Sequence, residues 1–199
     1  MKKEEVVLVN ERDEVVGYRE KLLAHQHPVP LHRAVSVMIV EKGKILMQKR
    51  GGEKPTWPLK WSNACCTHPR KGENYKAAAE RRLAEEMGIK SRLREVFRFS
   101  YKARYDEIWG ENELDVVFCG ECHGKIQPDP KEVDSFKWMK IGDVYPNCFG
   151  LQTTNRFGYI SDVPVCVANL STTAIKQELK EGSEAYTPWF EIIFAKIFK

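Results

Sequence analysis

Four groups of residues carry types and spacings that could do chemistry. The segment Trp57-Pro58-Leu59-Lys60-Trp61-Ser62-Asn63-Ala64-Cys65-Cys66-Thr67-His68-Pro69 combines aromatic walls, a thiol and an imidazole. A thiol exchanges protons near neutral pH if a nearby cation or metal lowers its pKa. Cys66 and His68 are separated by one residue, so an extended chain would turn them the same way. His25, His27 and His32 lie within eight residues, although the chain has only five histidines. Imidazole is a common ligand for zinc and other transition metals. Glu111-Asn112-Glu113 places two carboxylates on one face of a strand. Glu85 and Glu86 end a helical run, where carboxylates beside a loop suit a hard cation such as Mg²⁺. Each group alone has an ordinary reading: surface histidines, a packed cysteine, a solvated helix face, a charged turn. Together they supply complementary ligands. His25, His32, His68, Glu111 and Glu113 make a nitrogen- and carboxylate-rich site for Mn²⁺, Mg²⁺ or Zn²⁺. Glu86 suits a second, oxygen-rich Mg²⁺ site.

The elements that must position these groups follow from the pattern. Val6 to Val9 and Val15 to Tyr18 read as a hairpin. Ala34 to Val40 and Lys44 to Lys49 read as a second, turning at Glu41-Lys42-Gly43. Residues 50 to 72 read as a long loop, and long loops in compact domains are usually functional. The clearest helix runs from an Asn74 N-cap to a Gly88 stop, with Ala79, Leu83 and Met87 on its buried face. Arg81 with Glu85 and Arg82 with Glu86 are four apart and are expected to meet on its surface. Residues 93 to 101, 114 to 119 and 135 to 141 read as strands. Ser171 to Glu181 and Pro188 to Phe198 read as helices. The class expected is α+β, a mostly antiparallel mixed sheet packed by helices. Residues 1 to 199 read as a single domain, with 142 to 186 as a possible lid or insertion.

Bulk properties exclude several roles. With 42% hydrophobic residues the chain can bury a core, and a net charge of +4, spread along the chain, is no nucleic-acid footprint. No apolar run approaches a membrane span, and Met1 to Glu5 lacks an apolar signal segment. A cytoplasmic, monomeric protein is expected, with no membrane or nucleic-acid partner. Its six cysteines are then expected to be reduced. The Cys119/Cys122 pair lies in a strand-like run, which argues against a redox or zinc role.

The same residues resemble the type 1 isopentenyl-diphosphate Δ-isomerase family, a branch of the Nudix superfamily. Glu73, seven intervening residues and then Arg81 to Ile89 fit the Nudix box register. Two positions depart from it: Thr67 stands for the first glycine and Arg82 for a glutamate, which counts against hydrolysis. Leu31 to Ser36 is similar to the isomerase L-H-x-A-F-S. Trp61 to Pro69 is similar to W-x-N-x-x-C-x-H-P. Tyr101-Lys102-Ala103 with Glu111-Asn112-Glu113 is similar to Y-x-A…E-N-E, and Thr187-Pro188-Trp189 to S/T-P-W. The resemblance implies a Nudix-type core with extra N-terminal strands and C-terminal helices. It implies interconversion of isopentenyl and dimethylallyl diphosphate, a step of isoprenoid biosynthesis. A Nudix pyrophosphohydrolase is the alternative. Cys66 and Glu113 would be the proton-transfer pair, with Tyr101 assisting Glu113. His25, His32, His68, Glu111 and Glu113 would bind one metal, and Glu86 a Mg²⁺ beside the diphosphate. Lys21, Arg50, Lys54 and Arg82 would contact the diphosphate. Trp189 would cover the hydrocarbon, with Trp57 and Trp61 as loop alternatives. His27 has no counterpart in the motif.

Overall fold

A computed structural model describes residues 4–144, 157–160, 163–166 and 186–197. The expected helix at Ser171 to Glu181 and most of the 142 to 186 segment lie outside the described residues. The N-terminal hairpin is present as β1 (Glu5–Val9) paired antiparallel with β2 (Val15–Glu20). A short helix α1 (Lys21–Ala24) leads to the histidine segment.

The second expected hairpin departs from the sequence reading. β3 (His32–Glu41) and β4 (Lys44–Arg50) pair at Val40↔Ile45 and Glu41↔Lys44, beside the turn. Beyond that they part. β4 pairs with β9 (Val133–Lys140), while β3 takes other partners on both edges. The reason is burial: seven residues of β3 in succession are buried, Ala34 to Val40, so both of its faces need covering layers. Most pairs are antiparallel as expected. The central one, β3 with β8 (Gly110–Gly120), is parallel, in register from His32↔Glu113 to Ile39↔Gly120.

The expected loop over 50 to 72 contains two short strands, β5 (Trp61–Ser62) on β4 and β6 (Cys65–Thr67) on β3. Their brevity and the glycines, prolines and polar residues around them hid them from the strand pattern. β7 (Arg94–Arg104) completes this side of the sheet by pairing with β8. A four-residue helix, α3 (Ile141–Val144), follows β9, and β10 (Phe157–Ile160) and β11 (Val163–Cys166) form a separate antiparallel pair.

Helix α2 (Tyr75–Met87) begins and ends where its sequence signals place it. The Asn74 side chain accepts from Ala77 N–H at 2.8 Å, and Gly88 takes the left-handed conformation at φ 68°. Gly88 is also held small, because a Cβ there would come within 2.6 Å of Gln127 O. Ala79, Leu83 and Met87 are fully buried and pack on Val35, Val37 and Ile39 of β3. The opposite face of β3, with Met38 and Val40, packs with α4 (Pro188–Ile197) through Phe190, Ile193, Phe194 and Ile197. Each large apolar side chain buried there contributes about 1.5–3 kcal/mol. Two layers therefore clamp β3, and the site opens at its N-terminal end.

Candidate active site

Strand register brings the chemistry together. Glu113 lies beside His32 across the parallel pair, and beside Tyr101 across the antiparallel pair β7–β8. On the other side of β3, Ser36 faces Cys66. Cys65 and Cys66 are neighbours on a strand and so face opposite ways: Cys65 packs into the α2 core, and Cys66 turns to the α4 side. The α1 turn and the isolated bridge between Gln26 and Trp109 carry His25 to the same place.

His25, His32, His68, Glu111 and Glu113 each offer one ligand atom, and these atoms all lie within 4.8 Å of one another. All five residues are buried. Their tautomers suit ligation. His25 Nδ1–H donates to Lys21 O at 2.7 Å and His32 Nδ1–H to Pro30 O at 2.9 Å, which turns both Nε2 lone pairs inward. His32 Nε2 is buried without a hydrogen-bond partner. His25 Nε2 is 3.1 Å from Glu111 Oε2, and His68 Nε2 is 2.9 Å from Glu113 Oε1. An orphaned buried nitrogen among two more imidazoles and two carboxylates is the chemistry of a divalent metal site. The cluster could hold such an ion. His27 stays outside it, bonded to Trp109 O at 3.1 Å.

Protonation agrees with a ligand set. Burial lowers His68 to about 3, against the pull of Glu113, so its ring is neutral. Burial alone would raise Glu113, but the contact with His68 at 2.9 Å and the nearby His32 ring outweigh it and hold the carboxylate well below its usual range. Burial and the Glu113 charge raise Glu111. Tyr101 O–H donates to Glu113 Oε2 at 2.6 Å, and burial with the Glu113 and Glu111 charges keeps the phenol protonated.

The cluster forms the wall of a cavity of about 450 Å³. Cys66, Glu113, Tyr101, Trp189 and the four cationic residues Lys21, Arg50, Lys54 and Arg82 all line it, as do His25, His68, Glu111 and Glu86. His32 lies beneath, fully buried. Burial, then the nearby Asp115 charge, pushes the Cys66 thiol up to about 12, opposite in direction to an activated thiolate. Trp189 is anchored by Nε1–H to Ser62 Oγ at 3.1 Å, with the Arg50 guanidinium 5.1 Å over its ring. Thr187 pins the same turn, through Thr187 N–H to Trp61 O at 3.0 Å and Oγ1 to Ser62 Oγ at 3.0 Å. Trp57 packs edge-on against Trp189, and Trp61 lies under Lys137 Nζ; neither lines the cavity.

One expected helix-surface pair is not on the surface. Arg81–Glu85 is, at 3.1 Å, but Arg82 Nη2 meets a buried Glu86 at 2.5 Å inside the cavity. Glu86 is drawn inward by Gln48 Nε2–H at 3.0 Å. Arg82 and Lys54 also pair with Glu132, whose Oε2 is 2.6 Å from Arg82 Nη2, and Lys21 pairs with Glu4 at 3.1 Å. Sequence reasoning missed Glu132 and Glu4, which line the cavity, and Asn63, Ser36 and Asp115, which stand behind Cys66. A signal existed for Asp115, which continues the alternate-residue carboxylates Glu111 and Glu113 along β8. None marked Glu132, because nothing local ties the 127 to 132 turn to α2.

Comparison with known proteins bears on the whole arrangement. Residues 30–156 match the NUDIX domain model. The chain is 42% identical over 142 residues to the isopentenyl-diphosphate Delta-isomerase of Nocardia farcinica, covering 70% of this chain and 81% of that one. It is 34% identical over 194 residues to the isopentenyl-diphosphate Delta-isomerase of Pectobacterium atrosepticum, covering 97% and 90%. Among solved structures, a Deinococcus radiodurans protein superposes with a TM-score of 0.58 at 19% identity, covering 72% of this chain and 90% of that one. That likeness shows the fold.

Proposed function

Because this chain belongs to the isopentenyl-diphosphate Delta-isomerase family of Nudix proteins, we propose that it interconverts isopentenyl and dimethylallyl diphosphate. One observation carries the reading: a thiol and a carboxylate, Cys66 and Glu113, line one cavity that also holds a cationic end and an aromatic wall. Residues 1–199 act as one domain in this proposal, and the partner is a small isoprenyl diphosphate.

Moving the double bond needs a proton added at C4 and one removed from C2, so one group must give a proton and another take one. Cys66 and Glu113 are that pair. Tyr101 holds Glu113 Oε2 through its 2.6 Å hydrogen bond and fixes the carboxylate against the substrate. The face of Trp189, which lines the same cavity, stabilises the tertiary cation formed between the two steps by about 1–2 kcal/mol when desolvated. Lys21, Arg50, Lys54 and Arg82 hold the diphosphate, which supplies binding energy remote from the reacting carbons. His25, His32, His68, Glu111 and Glu113 would hold Mn²⁺, Mg²⁺ or Zn²⁺, and Glu86 a Mg²⁺ next to the diphosphate. When bound, these ions supply positive charge that neutralises the phosphates and keeps Glu113 in place. Hydrolysis is disfavoured by Arg82, which replaces a box carboxylate and ion-pairs with Glu86 and Glu132.

The test is conversion of labelled isopentenyl diphosphate to acid-labile product with Mg²⁺. The wild type is expected to be active and Cys66→Ala inactive. An inactive wild type overturns the function; full activity in Cys66→Ala overturns the assigned pair.

A further inference from the structure

Strands β6, β3 and β8 lie side by side, and on the cavity face three of their residues form a chain that no step above uses. Ser36 of β3 stands opposite Cys66 of β6. Its hydroxyl donates to Asp115 Oδ2 at 2.7 Å, and its oxygen lies 3.6 Å from Cys66 Sγ. A serine hydroxyl has one hydrogen. With that hydrogen on the carboxylate, Ser36 shows the sulfur lone pairs alone and can only accept from the thiol.

Asn63 closes the other side of the thiol. Its amide hydrogens have Cys65 O at 2.8 Å and Val37 O at 3.2 Å as acceptors. Two carbonyls fix which end of the amide is nitrogen. Oδ1 is then left 3.3 Å from Sγ, and the 3.2 Å contact of Nδ2 with Sγ shares a hydrogen already given to a carbonyl. The sulfur therefore faces acceptors.

Asp115 needs a reason to be there. It is fully buried, its Oδ1 has no hydrogen-bond partner among the described residues, and Glu113 stands two residues away on the same face. A buried carboxylate with a bare oxygen is costly, and an apolar side chain would fill the space between strands without that cost. We propose that Asp115 is a positioning residue for Cys66, acting through Ser36: it takes the serine hydrogen, turns a lone pair to the sulfur and so, with Asn63 Oδ1, confines the thiol hydrogen to the side of these two acceptors. In the isomerase reading, on which this rests, a fixed S–H direction aligns Cys66 with the reacting carbon.

The experiment reads the Cys66 S–H stretch by infrared difference spectroscopy, each protein against its Cys66→Ala counterpart, together with steady-state kinetics. Ser36→Ala and Asp115→Ala are expected to shift the band. They are expected to lower kcat about 10- to 100-fold, the scale of a misaligned reacting group, with KM within about twofold. Ser36→Thr and Asp115→Asn each keep the needed hydroxyl or acceptor and should regain both band and kcat. A band unmoved by Ser36→Ala and Asp115→Ala overturns the proposal, as does a loss in Ser36→Thr and Asp115→Asn equal to that in the alanine variants. The band is read without substrate, so it decides the hydrogen-bond direction even if the wild type fails to isomerise.

Discussion

Glu132 is expected to compete with the substrate, and Glu132→Gln should therefore tighten diphosphate binding. Its backbone is pinned: Gly51 N–H donates to Glu132 O at 2.9 Å and Glu132 N–H to Asp129 O at 3.0 Å. From that fixed point its carboxylate reaches both Lys54 and Arg82, two of the cations proposed to hold the diphosphate. A phosphate oxygen on the same cations would come within about 5 Å of the carboxylate. Two like charges at that distance repel by about 3 kcal/mol at an effective dielectric of 20. The Glu132 side chain is 29% exposed, so water and salt screen part of this, and the amide oxygen of the Glu132→Gln variant would still accept from the cations. About 1–2 kcal/mol survives, or roughly five- to thirty-fold in Kd. Calorimetric titration of inorganic pyrophosphate with Mg²⁺ present measures it, and KM for isopentenyl diphosphate should fall in parallel. Pyrophosphate binding that is unchanged or weaker in Glu132→Gln refutes the reasoning, because the carboxylate would then assist the anion or not sense it.

Tyr101→Phe removes the hydroxyl 2.6 Å from Glu113 and should lower kcat about 100-fold while leaving KM within about twofold. Thr187→Val breaks the bond to Ser62 that docks α4 under the cavity, and should cost about 1 kcal/mol in urea denaturation. Removing divalent metal with a chelator should lower the melting temperature, since an ion at 100 times its Kd adds about 2.7 kcal/mol. In the chelated protein His68 titrates near 3 when folded and near 6.5 when unfolded, so below pH 6.5 the unfolded chain takes up a proton that the folded chain refuses. Stability should fall with acid at up to about 1.4 kcal/mol per pH unit from this group. His68→Gln should flatten that slope between pH 6.5 and 4 in urea titrations.

Much of this protein was legible in its sequence. The helix from Asn74 to Gly88 announced itself through a cap, a stop and a four-residue apolar period, all local signals. Glu111 and Glu113 had to share a face because strand side chains alternate, and the same rule separates Cys65 from Cys66. The five residues that could hold a metal were readable as a collection of compatible types. Their proximity was not, because it depends on register between strands far apart in sequence. His32 meets Glu113 because β3 and β8 run parallel, and a parallel pair leaves no hairpin signal. That pairing also opened the hairpin expected from β3 and β4, since a strand buried on both faces seeks central neighbours. Packing decided the electrostatics as well: it drew Arg82 and Glu86 from a helix surface into a cavity and set Glu132 against two cations. It also buried Asp115 behind Ser36. Sequence by itself determined which chemical groups exist and which local faces they share. Tertiary structure decided which groups touch, and so which proton and which charge each one holds, because burial and neighbouring charges are properties of contacts between distant parts of the chain.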